Sequence, residues 1–191
     1  MKTVKNNIKD ELIIKNSKFI TNVFKLNDSN DINFYLNKIN NEYNDATHNC
    51  YAYIYENTKK CSDDNEPSGT AGIPMLQVLE KKDLTNILVV VTRYFGGIKL
   101  GAGGLVRAYT NSVTNALEKS EIIELIKGKN IDIVFNYDNV KKIDYILKDK
   151  SILNKEFNDT IKYNLNIDTD TLELLKNIND IEIIINNDVY L

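Results

Sequence analysis

Ile87 to Val91 is an unbroken apolar run, short and mostly β-branched, which predicts a strand buried on both faces rather than a helix. After it, Leu105, Ala108, Tyr109, Ser112, Val113 and Ala116 recur at three-and-four spacing, the mark of a helix with one buried face. Upstream the period changes to two. His48, Cys50, Ala52 and Ile54 share one face of a predicted strand, and Asn49, Tyr51, Tyr53 and Tyr55 share the other. Ile32, Tyr35, Leu36, Ile39 and Tyr43 return to helical spacing behind the helix-starting side chains of Asp28-Ser29-Asn30-Asp31. The apolar clusters Leu12-Ile13-Ile14 and Phe19 to Leu26, parted by Lys15-Asn16-Ser17-Lys18, predict a hairpin within Glu11 to Leu26. Met75, Val78, Leu79 and Lys82 mark a shorter helix, with Pro74 tolerated in its first turn. Glu56 to Pro67 is polar and reads as an exposed loop. Strand, strand, helix, strand, helix, strand, helix is an α/β or α+β sandwich with helices on at least one face.

Beyond Lys119 the pattern changes. A boundary falls near Ser120 to Lys129, where Ile122, Ile123, Leu125 and Ile126 can add a strand. Strands then follow at Ile131 to Phe135, Ile152 to Phe157, Ile161 to Ile167 and Ile181 to Ile185, with helices at Val140 to Leu147 and Leu172 to Ile178. That order, βαββαβ, predicts a small ferredoxin-like domain, giving an α+β chain of two domains, 1–127 and 128–191. In its best strand Ile161, Tyr163, Leu165 and Ile167 point inward and Lys162, Asn164 and Asn166 outward. Plaits that read RNA put aromatic residues on that outer face. Lys and Asn there read as a protein-contact, regulatory or merely solvated surface.

Composition narrows the function classes. The net charge of −3 divides into +2 for residues 1–120 and −5 for residues 121–191, so neither half is basic and any nucleic-acid contact must be local. No apolar segment approaches the length that spans a bilayer, and the opening residues lack the apolar run of a signal peptide, so a cytoplasmic protein without membrane partners is expected. Two cysteines, Cys50 and Cys61, are too few for a disulfide framework or a zinc site.

The candidate chemistry gathers after the central strand. Gly96, Gly97, Gly101, Gly103 and Gly104 fall between that strand and the helix, where the backbone either takes positive φ or admits a close approach. Between Asp83 and Glu118 every charged residue is positive: Arg93, Lys99 and Arg107. Free N–H groups and the positive dipole end of the helix make this unit an anion site in outline. Equally, the glycines can serve tight packing alone, with the arginines paired to acids. On the loop reading Gly103 takes positive φ and cannot become valine. His48 is the only histidine, which leaves at most one imidazole base. His48 and Cys50 share a strand face and can form a nucleophile-and-base pair, or simply pack. Asp63 and Asp64 read as a solvated, mobile face. Glu66, beside rigid Pro67, is expected to pair with Arg93 or Arg107 in a bidentate, partly buried contact.

Three ordered motifs carry a resemblance: H-N-C-Y-A-Y (His48 to Tyr53), D-D-N-E-P-S-G-T-A-G-I-P (Asp63 to Pro74) and T-R-Y-F-G-G-I-K-L-G-A-G-G-L-V-R-A-Y (Thr92 to Tyr109). The chain resembles the IMPACT family, most closely its bacterial two-domain members of the YigZ type. The resemblance implies, for residues 1 to about 120, the fold of the second domain of a small-subunit ribosomal protein, shared with elongation-factor domains and GHMP-type kinases. The expected binding cleft, formed by the second and third motifs, has the set His48, Glu66, Ser68, Thr70, Arg93, Tyr94, Gly96, Gly97, Gly101, Gly103, Gly104 and Arg107, and no metal or cofactor is expected. Eukaryotic relatives are associated with translation control under starvation through an N-terminal partner-binding domain, for which this chain has no room. The expected function is regulatory binding linked to translation, the partner being RNA, a nucleotide or phosphate, a ribosome or a translation factor. The competing readings are an enzyme acting on a phosphorylated small molecule, with Glu66, His48 or Asp64 as base, and a protein-interaction adaptor using the open face of the second domain.

Overall fold

A computed structural model describes all residues, 1–191, and divides into two compact units, Met1–Glu124 and Leu125–Leu191. The first unit is built on five antiparallel strands. In chain order these are β2 (Ile8–Ile14), β3 (Ser17–Lys25), β4 (His48–Tyr55), β5 (Thr58–Ser62) and β6 (Ile87–Tyr94), preceded by a short β1 (Lys2–Val4). The sheet order is β2-β3-β6-β4-β5, so the apolar run of β6 lies at the centre. Its side chains alternate between two cores. Ile87, Val89 and Val91 face the helices α2 (Gly72–Lys81) and α3 (Ala102–Glu118), while Leu88 and Val90 face α1 (Asn30–Glu42). Burial on both faces is why this strand reads as a continuous apolar run. β4 divides in the same way: Cys50, Ala52 and Ile54 join the α2–α3 core, and Tyr51, Tyr53 and Tyr55 pack on the α1 side. Helices therefore cover both faces of the sheet.

The hairpin of β2 and β3 turns on Lys15 and Asn16, at φ 46° and 65°, the left-handed pair that matches the twist of two antiparallel strands. Two features depart from the sequence reading. Residues 58–62, expected within an exposed loop, form the edge strand β5 against β4. β1 pairs with β7 (Ile122–Glu124) in a two-stranded ribbon, so the end of the first unit returns to its beginning.

The second unit comprises β8 (Lys127–Phe135), α4 (Val140–Ile146), β9 (Ile152–Phe157), β10 (Ile161–Asp168), α5 (Thr169–Lys176) and β11 (Ile181–Tyr190). Its antiparallel sheet has the order β11-β8-β10-β9, and both helices cover one face. Ile131, Ile133, Phe135, Ile161, Tyr163, Leu165 and Ile167 build the core with Ile143, Leu147, Leu172 and Leu175. On the other face the polar side chains bond one another: Asn130 with Asn164 and Asn166, Asn164 with Asp132, and Lys162 with Asp132.

Candidate functional site

A cleft of about 440 Å³ opens in the first unit where β4, β6 and the start of α3 meet. It is lined by Thr47, His48, Glu66, Pro67, Arg93, Phe95, Lys99, Leu100, Gly101, Ala102 and Leu105, which joins parts of all three sequence motifs. β-pairing sets the floor. His48 lies opposite Arg93 in the β4–β6 register, and both project on the α2–α3 side. The chain from Asp63 to Gly72 then carries Glu66 over them.

Glu66 is the hub. Its side chain is 2% exposed, and its Oε1 accepts from Arg93 Nη1 at 2.5 Å and from the Tyr109 hydroxyl at 2.8 Å. The expected ion pair is present, though through one nitrogen rather than two. Arg93 Nε is buried without a hydrogen-bond partner, and the guanidinium carbon lies 5.5 Å from the Phe19 ring centre and 5.6 Å from that of Phe95. Burial, and then Cys50 and Glu66, push the Tyr109 phenol far up, so it remains a protonated donor. His48 Nδ1 is 2.8 Å from the carbonyl oxygen of Asp64. A carbonyl only accepts, so Nδ1 carries a proton, and Nε2 lies 3.8 Å from Glu66 Oε1.

Asp63 and Asp64 form no solvated face. Asp63 accepts from the backbone N–H groups of Gly69, Ala71 and Gly72, and so caps α2 from nine residues upstream. Burial pushes its carboxyl up, yet the three N–H donors together hold it below its ordinary value. Asp64 accepts from Asn49 N–H at 2.6 Å and itself has φ 39°. Both carboxylates therefore shape the loop that delivers Glu66. Cys50 is likewise structural: its thiol donates to the Asp63 carbonyl at 2.9 Å, and burial pushes it up to about 12, which removes a thiolate nucleophile at neutral pH.

At the start of α3, Leu105 is the first residue whose N–H finds an intrahelical acceptor, Gly101 O at 2.9 Å. No side chain caps the helix, and the N–H groups of Ala102, Gly103 and Gly104 are left free. Gly101, at φ 73°, makes the turn into the helix. Gly103 already lies within the helix without positive φ, which corrects the expectation of a left-handed backbone there. Arg107 is exposed and leans back over Gly103 as its position in the helix dictates, without joining the cleft lining. Lys99 lines the cleft and forms no ion pair.

Other residues of the sequence-derived set lie elsewhere. Tyr94 turns to the α1 face, where a hydrogen bond to the Asp45 carboxylate pushes its phenol up to about 12. Ser68 is exposed without a hydrogen bond, and Thr70 is buried with its hydroxyl closing the turn on Pro67 O at 2.6 Å. Gly96 and Gly97 act before the cleft is reached. At Gly96 an added Cβ would fall 2.0 Å from the Asn16 carbonyl carbon. Phe95, Leu100 and Tyr109 were outside the sequence-derived set. Tyr109 counts as an ordinary core position in the helical pattern, and nothing in that pattern marks its hydroxyl.

A family model described as Impact N-terminal domain matches residues 15–117. The chain is 40% identical over 172 residues to the IMPACT family member YvyE of Bacillus subtilis, covering 88% of this chain and 77% of that protein. It is 40% identical over 111 residues to the IMPACT family member YigZ of Escherichia coli K12, covering 56% of this chain and 54% of the other. A solved structure titled as that of a hypothetical protein superposes with a TM-score of 0.76 at 26% identity, over 97% of both chains. No helix is long and apolar enough to cross a membrane.

Proposed function

The chain belongs to the IMPACT family, and from that premise we propose that it is a regulatory binding protein linked to translation, which takes a phosphate-bearing partner in the cleft at the start of α3. RNA, a nucleotide or a nucleotide-bound translation component would present the same group. The observation that carries this reading is a convergence. Free N–H groups of Ala102 to Gly104, the positive end of the α3 dipole, the unpaired Lys99 and the orphaned Arg93 Nε belong to one cleft or its rim. Since Arg93 and Glu66 cancel each other, Lys99 and the helix terminus set the sign of the site.

Inorganic phosphate tests it directly. Only the folded state presents the site, so phosphate at 100 times its dissociation constant should stabilise the chain by about 2.7 kcal/mol and raise Tm. Lys99→Ala should weaken that response with little change in Tm in the absence of phosphate. A Tm indifferent to phosphate, compared with chloride at equal ionic strength, would remove the anion reading.

One observation favours an enzyme acting on a phosphorylated small molecule. His48 Nε2 lies at the cleft floor beside Glu66 with Nδ1 held by a carbonyl, a placement that suits a general base. Incubation with phosphate monoesters followed by mass spectrometry separates the two readings: a binding protein returns its ligand unchanged, and an enzyme loses turnover in His48→Ala.

A further inference from the structure

We propose that the cleft takes a single nucleotide unit, its phosphate at the start of α3 with Lys99 and its base laid on the outer face of Phe95. The inference rests on the anion reading above and adds the chemical class of the ligand. A volume of about 440 Å³ is far more than a phosphate fills and falls within the range of small-molecule sites. The lining beyond the charged floor is apolar: Pro67, Phe95, Leu100 and Leu105. A bare sugar phosphate would leave that surface uncovered.

Phe95 supplies the specific feature. The residue is 46% exposed, and the Arg93 cation sits against its ring at 5.6 Å from the centre. A ring that spends one face on a buried cation keeps the other for a planar group, and every nucleobase has a π-face to offer. The mount is rigid. Phe95 N–H donates to Thr47 Oγ1 at 3.0 Å and Gly96 N–H to Ser17 Oγ at 3.2 Å, and Gly96 abuts the Asn16 backbone. The backbone that carries the ring is thus fixed at the mouth of the cleft before any ligand arrives, which lowers the ordering cost of binding. Arg93 Nε, the buried donor without a partner, belongs to the guanidinium that sits against this ring, and Arg93 lines the same cleft.

A free nucleotide and the end of an RNA strand share this chemistry, and the test has an arm for each. AMP, ribose 5-phosphate, inorganic phosphate and a short single-stranded oligoribonucleotide would be titrated against the full chain by calorimetry. AMP should bind at least about ten-fold more tightly than ribose 5-phosphate, the scale of one base stacked on an aromatic ring. Phe95→Ala should remove that difference while leaving ribose 5-phosphate affinity within about two-fold, and Phe95→Trp should retain it. Urea midpoints confirm that the variants are folded. Equal affinity for AMP and ribose 5-phosphate in the unaltered chain, or a preference that survives Phe95→Ala, overturns the stacking proposal and leaves the anion site standing. Failure of all four probes, phosphate included, overturns both. Tighter binding of the oligonucleotide than of AMP identifies a strand end as the source, and equal binding identifies the free nucleotide; each supports the proposed subsite.

Discussion

Glu66 and Arg93 form a buried ion pair that carries the cleft floor, with side chains 2% and 6% exposed. Removing one partner strands the other charge away from water, so Glu66→Ala should cost about 3–5 kcal/mol in urea denaturation, whereas replacing both by apolar residues of similar volume should recover much of that loss. A single-variant cost below about 1 kcal/mol would mean that water already screens the pair. Asp63 gives a second residue-level prediction, this one in pH. Its carboxyl is held below the ordinary 3.8 in the folded chain because it accepts three backbone N–H bonds, against the opposing effect of burial. The sign follows: the folded state binds this proton more weakly than the unfolded state. The stabilisation is complete above the unfolded value and is lost as pH falls through 3.8 toward the depressed folded value. Asp63→Ala, which also removes the cap of α2, should cost about 1–2 kcal/mol at pH 7. Its cost should shrink when stability is measured near pH 3. A penalty independent of pH would assign the effect to packing rather than to the carboxylate.

Elements with a buried face were legible in the sequence, and those defined by backbone alone were not. β6 declared itself because burial on both faces requires apolar residues at every position, and β4 because its two faces meet different cores. β5 was hidden. Thr58 to Ser62 is an edge strand with three exposed positions, so no alternation records its pairing with β4. β1, three residues long, is too short to show a period, whereas β7 falls in the apolar stretch from Ile122 where a strand was expected and only its pairing with β1 was hidden. In the site, the glycine cluster pointed to the right turn without assigning a task to each glycine, because a missing side chain does not say whether it frees φ or makes room. The structure separates these roles and predicts different costs. Gly96→Ala drives a Cβ to 2.0 Å from backbone that cannot move aside, and should cost about 3 kcal/mol or more. Gly101→Ala, at φ 73°, should cost about 1–2 kcal/mol through strain alone. Gly103→Ala should be neutral or stabilise by up to about 1 kcal/mol, because its backbone is helical and the nearest atom is the flexible end of Arg107 at 3.9 Å. Equal costs at all three positions, read from chemical denaturation, would contradict this division.

For the whole molecule the deciding fact is that no core is shared. The two clusters flanking the central sheet draw only on residues up to Leu117, and the cluster of the second unit only on residues from Ile131 onward. Each unit should therefore fold by itself, and β7 fixes where the chain can be divided. Ile122 to Glu124 pair with Lys2 to Val4, and Lys5 bonds both the backbone and the side chain of Glu121, so a cut at residue 120 would remove structure that belongs to the first unit. Residues 1–124 expressed alone should unfold in one cooperative urea transition and retain the phosphate response of the full chain, since every residue of the cleft lies within them. Residues 1–119 should be less stable than 1–124 by about 1 kcal/mol or more, the ribbon and its hydrogen bonds having been lost. Residues 125–191 should also fold, with smaller stability, because a domain of that size buries a lower share of its surface. A first unit that is molten without residues 125–191, with fluorescence and circular dichroism transitions that fail to coincide, would show that its stability depends on the rest of the chain despite the separate cores.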